Sequence, residues 1–175
     1  MFKRIKNSVL ITALTIGITG AMLGCAKNEP PPGPPPGLMG SVSKFDINTA
    51  SEEDIAAALQ TDGRVIISGG ILFEFDSAKI NPNAMQLVDK LAGVMTQYPN
   101  LNVAVVGYTD NTGNFNYNIK LSQRRANAIV EQLVRDGVSA NRLAGVGVGP
   151  LSPIATNDTE YGRAQNRRVE LVLIR

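Results

Sequence analysis

Carboxylates and cations are the side chains able to do chemistry in this 175-residue chain, because it has no His and only one Cys. That composition removes most zinc, haem and iron–sulfur sites, together with the Ser-His-Asp and Cys-His catalytic arrangements. An enzyme built from this chain would have to use carboxylates or lysines. We therefore predict no metal site and no cofactor.

Three carboxylates are candidates for acid–base chemistry. Glycoside hydrolysis needs two acids at a suitable separation, so Asp110 paired with Glu74 or Asp76 is one possible arrangement. A general acid, however, needs an apolar pocket that raises its pKa. Asp110 lies in the polar, glycine-containing run TDNTG, which disfavours a hydrolase.

The same residues also have simpler interpretations. Asp110 could be a turn residue that accepts a hydrogen bond from its own backbone, and Asp76 with Ser77 could cap the turn after a strand. Arg125 could be a solvated helix residue in an ordinary surface ion pair. The residues alone leave these alternatives open.

Capping signals place the helices that must position these side chains. Ser51, followed by acidic residues and a short apolar run, predicts the N-cap of a short helix, and Gly63 is predicted to end that helix. Asn81, followed by Pro, predicts a helix that runs to about Tyr98. A further amphipathic helix is predicted to stop at Gly137, which supplies a left-handed cap.

Apolar runs predict the strands. Residues 64–68 and 71–75 indicate an interrupted strand or a hairpin, and residues 101–106 indicate a strand covered on both faces. Residues 143–148 and 168–174 follow as the last two strands, and residues 107–116 as a loop. The order strand, helix, strand, helix, strand, strand predicts an α/β fold of the α+β kind: a two-layer sandwich with helices on one face of a mixed four-stranded sheet.

The first 24 residues have the pattern of a secretory signal peptide, with a positive start and an uncharged run that ends in Gly24-Cys25. A transmembrane anchor is the alternative, because about 18 residues is the lower limit for spanning a bilayer. The sole Cys at the end of this run resembles a bacterial lipobox. That resemblance implies cleavage before Cys25, acylation (palmitate) at Cys25 and, with Ala26 following, sorting to the outer membrane.

The segment after Cys25 is a proline-rich spacer, with PPPGPPPG at residues 30–37. Such a sequence prefers extended polyproline II, and 15 residues at about 3.1 Å each would span about 45 Å. A ligand for an SH3-like module is the alternative. We divide the chain into a signal peptide (1–24), a lipidated Cys and linker (25–40), a short extension with a helix (41–63) and one globular domain (64–175).

The charge balance argues against nucleic acid as a partner. The chain has 17 Lys plus Arg and 15 Asp plus Glu. Removing Lys3, Arg4 and Lys6 of the signal segment leaves 14 against 15, so the rest of the chain lacks the basic excess of a nucleic-acid binder.

Four ordered motifs carry a family resemblance: FEFDS at 73–77, GYTDNTG at 107–113, LSQRRA at 121–126 and GRAQNRRVE at 162–170. Between about residues 71 and 174 the chain resembles the OmpA C-terminal-like family, which includes the peptidoglycan-associated lipoproteins. The resemblance implies that the domain binds the diaminopimelate of the peptidoglycan stem peptide.

The same resemblance implies the site. The bound end of diaminopimelate is a zwitterion, so Asp110 would take its ammonium while the Arg125 guanidinium forks onto its carboxylate. Asn118 would add a side-chain hydrogen bond. Asp76 and Arg168 would line the same cleft, although another arginine directly precedes Arg168 and leaves open which of the two does so.

The implied function is a lipoprotein of the Gram-negative outer membrane, with its domain facing the periplasm, that tethers the membrane to the cell wall and supports envelope integrity. Its partners would be peptidoglycan, the outer membrane through the lipid anchor, and possible further envelope proteins. The alternatives are the wall hydrolase with paired carboxylates, and a structural or adhesive lipoprotein for which wall contact is incidental.

Overall fold

The computed structural model describes residues 47–175. The expected signal segment, Cys25 and the proline-rich spacer lie outside the described residues. The elements in chain order are α1 (Glu52–Thr61), β1 (Arg64–Ser68), α2 (Gly69–Leu72), α3 (Met85–Gln97), β2 (Val103–Tyr108), α4 (Phe115–Arg135), β3 (Leu143–Gly149), α5 (Glu160–Asn166) and β4 (Arg168–Leu173). Within this part of the chain, no helix has the length and apolar character needed to cross a membrane.

The four strands form one mixed sheet in the order β1-β4-β2-β3. Strand β4 pairs antiparallel with β1 and with β2, whereas β2 and β3 are parallel. A parallel pair needs a long crossover connection, and α4 supplies it here. The predicted mixed four-stranded sheet with helices, of the α+β class, is confirmed.

Side chains alternate between the two faces of the sheet along β2 and β4. Val105 and Leu171 point into the main core, which α1, α3 and α4 cover. Val106 and Val172, one residue further along their strands, belong to a smaller cluster on the other face. This period of two follows from the pleat of a strand, and it decides which residues near the start of β4 can reach the cleft described below.

The predicted helix starts and stops are confirmed. Ser51 forms a capping box, in which its hydroxyl accepts from the Asp54 N–H and the Asp54 carboxylate accepts from the Ser51 N–H. The Asn81 side chain accepts from the Asn83 N–H at 3.0 Å, in the single helical turn that leads into α3. Gly137 has φ +97 after the end of α4, a conformation that favours glycine.

Helix α1 lies in the segment that the sequence analysis treats as an extension. Its Ile55 and Leu59 are nevertheless fully buried in the main core, and α1 packs against α3 and β1. The extension therefore contributes to the packing of the globular body.

The predicted strand at residues 71–75 is wrong. Gly69–Leu72 forms the single-turn helix α2, and Phe73 makes only an isolated bridge to Ile80. The cause is tertiary: the Gly69 N–H donates to the Arg167 carbonyl at 2.7 Å, and a Cβ at Gly69 would lie 2.8 Å from that same oxygen. The chain turns out of the sheet at this contact, which leaves residues 73–76 to line a cleft.

The predicted loop between β2 and α4 is shorter than expected, because β2 continues to Tyr108 and α4 begins at Phe115. Asn114 caps α4 by accepting from the Tyr117 N–H at 3.0 Å. Helix α5 was not predicted, because it lacks an apolar repeat; the Thr159 hydroxyl caps it by accepting from the Gly162 N–H. Both differences concern segments that border the cleft.

Candidate functional site

A cleft of about 670 Å³ opens among four segments that come from different parts of the chain. These segments are the turn from α2 to residue 76, the loop after β2, one face of the first half of α4, and α5 with the residue before β4. The cleft holds four of the five site residues that the sequence predicts, Asp76, Asp110, Asn118 and Arg125.

Asp110 lies just beyond the end of β2 and is held at both carboxylate oxygens. Its Oδ1 accepts from the Thr112 N–H at 2.9 Å, and its Oδ2 accepts from Arg167 Nη1 at 2.7 Å. The first bond is the turn geometry that the sequence offered as an alternative to a binding role. The structure therefore combines the turn with a carboxylate that lines the cleft.

The surroundings of Asp110 keep its carboxyl group ionised. Partial burial acts to raise the pKa of Asp110, but hydrogen bonds from Arg167 and from Thr112 outweigh it and hold the pKa below its usual range. A general acid needs the opposite shift. Of the other carboxylates, Glu74 forms an exposed ion pair with Lys79 at 2.8 Å.

Helix α4 brings Asn118 and Arg125 to the cleft together. The two residues are seven positions apart, which is close to two turns of an α-helix, so they share one face. The Asn118 amide donates to the Thr112 carbonyl at 2.8 Å and so braces the loop that carries Asp110.

Arg125 is largely buried but presents the end of its guanidinium to the cleft. Its Nε donates to the Ser77 carbonyl at 2.8 Å, and the guanidinium lies 5.2 Å from the centre of the Phe73 ring. Its two terminal nitrogens form no hydrogen bond with any other residue of the range 47–175, and neither is sealed from solvent. Burial lowers the pKa of Arg125 and the Asp76 carboxylate acts to raise it, but a guanidinium stays protonated in proteins. A fork of two donors is thus available to a carboxylate.

Asp76 occupies a tight turn at the rim of the cleft. Its backbone has φ +46, an uncommon conformation for a residue other than glycine. Its Oδ1 accepts from the Tyr117 hydroxyl at 3.0 Å, and this bond raises the pKa of Tyr117. The turn is therefore tied to the first part of α4.

The expectation that Arg168 lines the cleft is corrected. Arg168 is the first residue of β4, and its side chain lies on the sheet face opposite the main core, where its Nε donates to Glu170 Oε1 at 2.7 Å. Its guanidinium lies 3.7 Å from the centre of the Tyr108 ring. Arg167, one residue earlier, lines the cleft instead and joins Asp110 to Glu160 Oε1, which it reaches at 2.6 Å.

Glu160 and Arg163 are charged cleft residues that were not predicted from the sequence, and Arg167 was left open against Arg168. Hydrogen bonds from Arg167 and Arg163 lower the pKa of Glu160. The only sequence signal for Arg167 was its position next to Arg168. Glu160 was not predicted because it lies in α5, a helix that the sequence pattern did not indicate. The described part of the chain has no group of His, Cys, Asp and Glu residues suited to a metal ion.

Comparisons with known proteins place this cleft in a family. Outer membrane porin F of Pseudomonas fluorescens is 50% identical over 100 residues, which cover 57% of this chain and 31% of that protein. The peptidoglycan-binding protein ArfA of Mycobacterium bovis is 40% identical over 117 residues, 67% of this chain and 36% of that protein. The chain thus spans about a third of the length of these relatives.

Among solved structures, the peptidoglycan-associated lipoprotein from Burkholderia pseudomallei superposes with a TM-score of 0.55 at 32% identity, covering 59% of this chain and 88% of that one. The sequence model of the OmpA family matches residues 72–167, which contain all four motifs except the end of the last. Because that match extends over more than half of its length, the chain belongs to the OmpA family.

Proposed function

We propose that this chain is an outer-membrane lipoprotein that binds peptidoglycan non-covalently through the diaminopimelate of the stem peptide and thereby tethers the outer membrane to the cell wall. The observation that carries the proposal is the pairing, within one cleft, of the ionised Asp110 carboxylate with the open guanidinium fork of Arg125. Such a pair matches a ligand that bears an ammonium beside a carboxylate.

The ligand chemistry follows from the hydrogen-bonding capacity of the two groups. A carboxylate has about four lone-pair sites, and Asp110 uses two of them on Thr112 and Arg167, so an ammonium can still bind there. The terminal nitrogens of Arg125 can donate two parallel hydrogen bonds to the ligand carboxylate, a geometry that Lys cannot reproduce. Two opposite charges held on a braced loop and a helix select a zwitterion over a singly charged group.

The relatives support peptidoglycan as the polymer that carries this ligand. One is named a peptidoglycan-binding protein, and one solved structure is of a peptidoglycan-associated lipoprotein. We extend that binding to this chain on the basis of the shared family and the cleft geometry.

The attachment to the membrane rests on the sequence pattern at Cys25. In this proposal the acylated Cys25 holds the chain in the outer membrane, and the spacer of about 45 Å allows the domain to reach the wall from the periplasmic side. Binding at one end and anchoring at the other give the chain its role in envelope integrity.

The chain is proposed to bind the wall without cleaving it. The Asp110 carboxylate is ion-paired and ionised, and Glu160 is paired with both Arg163 and Arg167. Paired, low-pKa carboxylates suit the binding of a cation better than the donation of a proton.

The test uses sedimentation with purified sacculi. Asp110→Ala and Arg125→Ala should each abolish detectable binding while the protein stays folded, because an unpaired ligand charge in the cleft costs about 2–5 kcal/mol, or roughly thirtyfold and more in affinity. Arg125→Lys keeps the charge, removes the fork, and should bind nearly as poorly as the Ala variant.

The matched control is Arg135→Ala, which alters an exposed arginine at the far end of the same helix, bonded only to Gln132 among residues 47–175. It should bind sacculi like the wild type. Release of soluble muropeptides by the wild type would support the hydrolase, whereas folded Asp110→Ala and Arg125→Ala variants that sediment normally would refute the proposed site.

A further inference from the structure

Phe75 is a fully exposed aromatic side chain at the mouth of the cleft. Single exposed apolar residues are ordinary on protein surfaces, so exposure by itself carries no function. Phe75 differs from the other exposed aromatics in its neighbours, because it stands between two residues that line the same cleft, Glu74 and Asp76. Phe75 itself also lines that cleft.

The turn that carries Phe75 is braced from several directions. The Glu74 N–H donates to the Lys79 carbonyl at 3.2 Å, and the Ser77 N–H donates to the Glu74 carbonyl at 3.3 Å. The Glu74 carboxylate pairs with Lys79 at 2.8 Å, and Asp76 is bonded to the Tyr117 hydroxyl. The ring therefore projects from a turn that need not be ordered on binding.

The Asp76 backbone adds an independent observation. Its φ of +46 is a strained conformation for a residue with a Cβ, and such strain persists where the surroundings hold it in place. The strained residue follows Phe75 directly. A strained and braced turn that exposes a bare aromatic ring to solvent is a pre-organised binding element, and pre-organisation lowers the entropic cost of association.

We propose that Phe75 stacks on a sugar ring of the glycan strand from which the bound stem peptide hangs. This inference rests on the proposed function, since it requires the stem peptide in the cleft. A pyranose has polar edges and a face of C–H groups, and the electron-rich face of an aromatic ring attracts the partial positive charge of those hydrogens. Phe75 offers such a face, with charged side chains beside it to meet the hydroxyl groups.

The position of the ring is compatible with the connectivity of the ligand. In peptidoglycan two residues separate diaminopimelate from the muramic acid to which the stem is attached, a reach of about 10 Å when extended. A stem peptide bound by its charged end inside the cleft would leave its sugar near the rim. Asp110 and Arg125 would then bind the stem peptide, and Phe75 would contact the glycan strand that carries it.

The experiment compares two probes on the full chain in detergent by titration calorimetry. One probe is a tripeptide that ends in diaminopimelate, and the other is the same tripeptide attached to its N-acetylglucosamine–N-acetylmuramic acid disaccharide. The wild type should bind the disaccharide probe about threefold to tenfold more tightly than the bare tripeptide, the range expected of one aromatic contact. Phe75→Ala should remove this preference and leave the tripeptide affinity unchanged.

Two further variants isolate the ring. Phe75→Trp should keep the preference, and Phe75→Leu, which is apolar but not aromatic, should lose it. The matched control is Tyr161→Ala, because Tyr161 is also an exposed aromatic residue but does not line the cleft. This variant should retain the wild-type affinity for both probes.

The outcomes separate this inference from the proposed function. A wild type that binds neither probe refutes the proposed function, whatever Phe75 does. A wild type that binds the tripeptide without preferring the disaccharide overturns the sugar contact alone. Equal losses for both probes in Phe75→Ala would overturn it as well, because the ring would then contact the peptide. Because Phe75 is fully exposed, its variants should fold like the wild type, and circular dichroism checks this.

Discussion

Arg167 and Arg168 are neighbours in sequence and occupy opposite environments. The Arg167 side chain is 34% exposed at the cleft and bonds to Asp110 and Glu160. The Arg168 side chain is 3% exposed on the far face of the sheet, where it bonds to Glu170 and covers the ring of Tyr108. One step along an extended chain reverses the side-chain direction, so adjacent residues of the same type serve different purposes.

The two ion pairs also differ in energetics. A pair with one partner open to solvent, such as Arg167–Asp110, contributes less to stability than a fully buried pair, in which removing one partner leaves a charge without compensation. Glu170 lies in such a buried cluster, with Arg64 Nη1 at 3.7 Å as a second cation. Burial and the Glu170 charge together raise the pKa of Tyr108 to about 12, so that hydroxyl stays protonated at physiological pH. We expect the Arg168–Glu170 pair to contribute mainly to the stability of the fold and the Arg167–Asp110 pair mainly to ligand binding.

The strongest test of this division is Arg168→Ala. It should lower the free energy of unfolding by about 3–5 kcal/mol, because Glu170 loses its main partner inside the protein. Urea denaturation measures the loss, and sedimentation with sacculi, normalised to folded protein, should show wild-type binding. A loss below about 1 kcal/mol would mean that Arg64 alone compensates Glu170.

Arg167→Ala should give the opposite pattern with a smaller effect. Its free energy of unfolding should change by at most about 1 kcal/mol, since the Arg167 side chain is itself 34% exposed and the Thr112 N–H still donates to the Asp110 carboxylate. Binding to sacculi should weaken about threefold to thirtyfold, because Asp110 loses the bond that orients its Oδ2. Arg167→Lys, which keeps the charge and one hydrogen bond, should fall between the two. Unchanged binding in Arg167→Ala would show that Thr112 alone orients the carboxylate.

The sequence predicts local features of the fold well and tertiary ones poorly. Ser51, Asn81 and Gly137 signal helix ends through bonds or dihedral angles within a few residues, and the structure has those ends. The apolar segment 71–75 also looks like a strand locally. Its conformation is decided instead by the close approach of Gly69 to the backbone of Arg167, almost a hundred positions away in sequence.

The cleft shows the same limit. Motif spacing brings Asn118 and Arg125 to one cleft, because α4 repeats its face every seven residues, and Asp110 joins them from the short loop between β2 and α4. The choice between Arg167 and Arg168 depends on the residue at which β4 begins, and a shift of one residue reverses the answer. Boundaries of elements are the part that sequence patterns fix least, so this assignment needed the structure.

The smallest effect that we predict concerns the pH dependence of the Asp110–Arg167 pair. The pKa of Asp110 is lowered in the folded protein, so the pair adds stability above the unfolded pKa, near 4, and loses it as pH falls through the folded value. Wild type and Asp110→Asn should therefore differ by at most about 1 kcal/mol in free energy of unfolding at pH 7, by the same amount at pH 5, and by less at pH 3. Urea denaturation at the three pH values measures this gap. The Asn side chain can still accept from the Thr112 N–H, so the comparison isolates the charge.

A gap that widens toward low pH would mean that folding raises the pKa of Asp110. In that case burial would outweigh Arg167, and the cleft would favour a protonated acid over a site for an ammonium group.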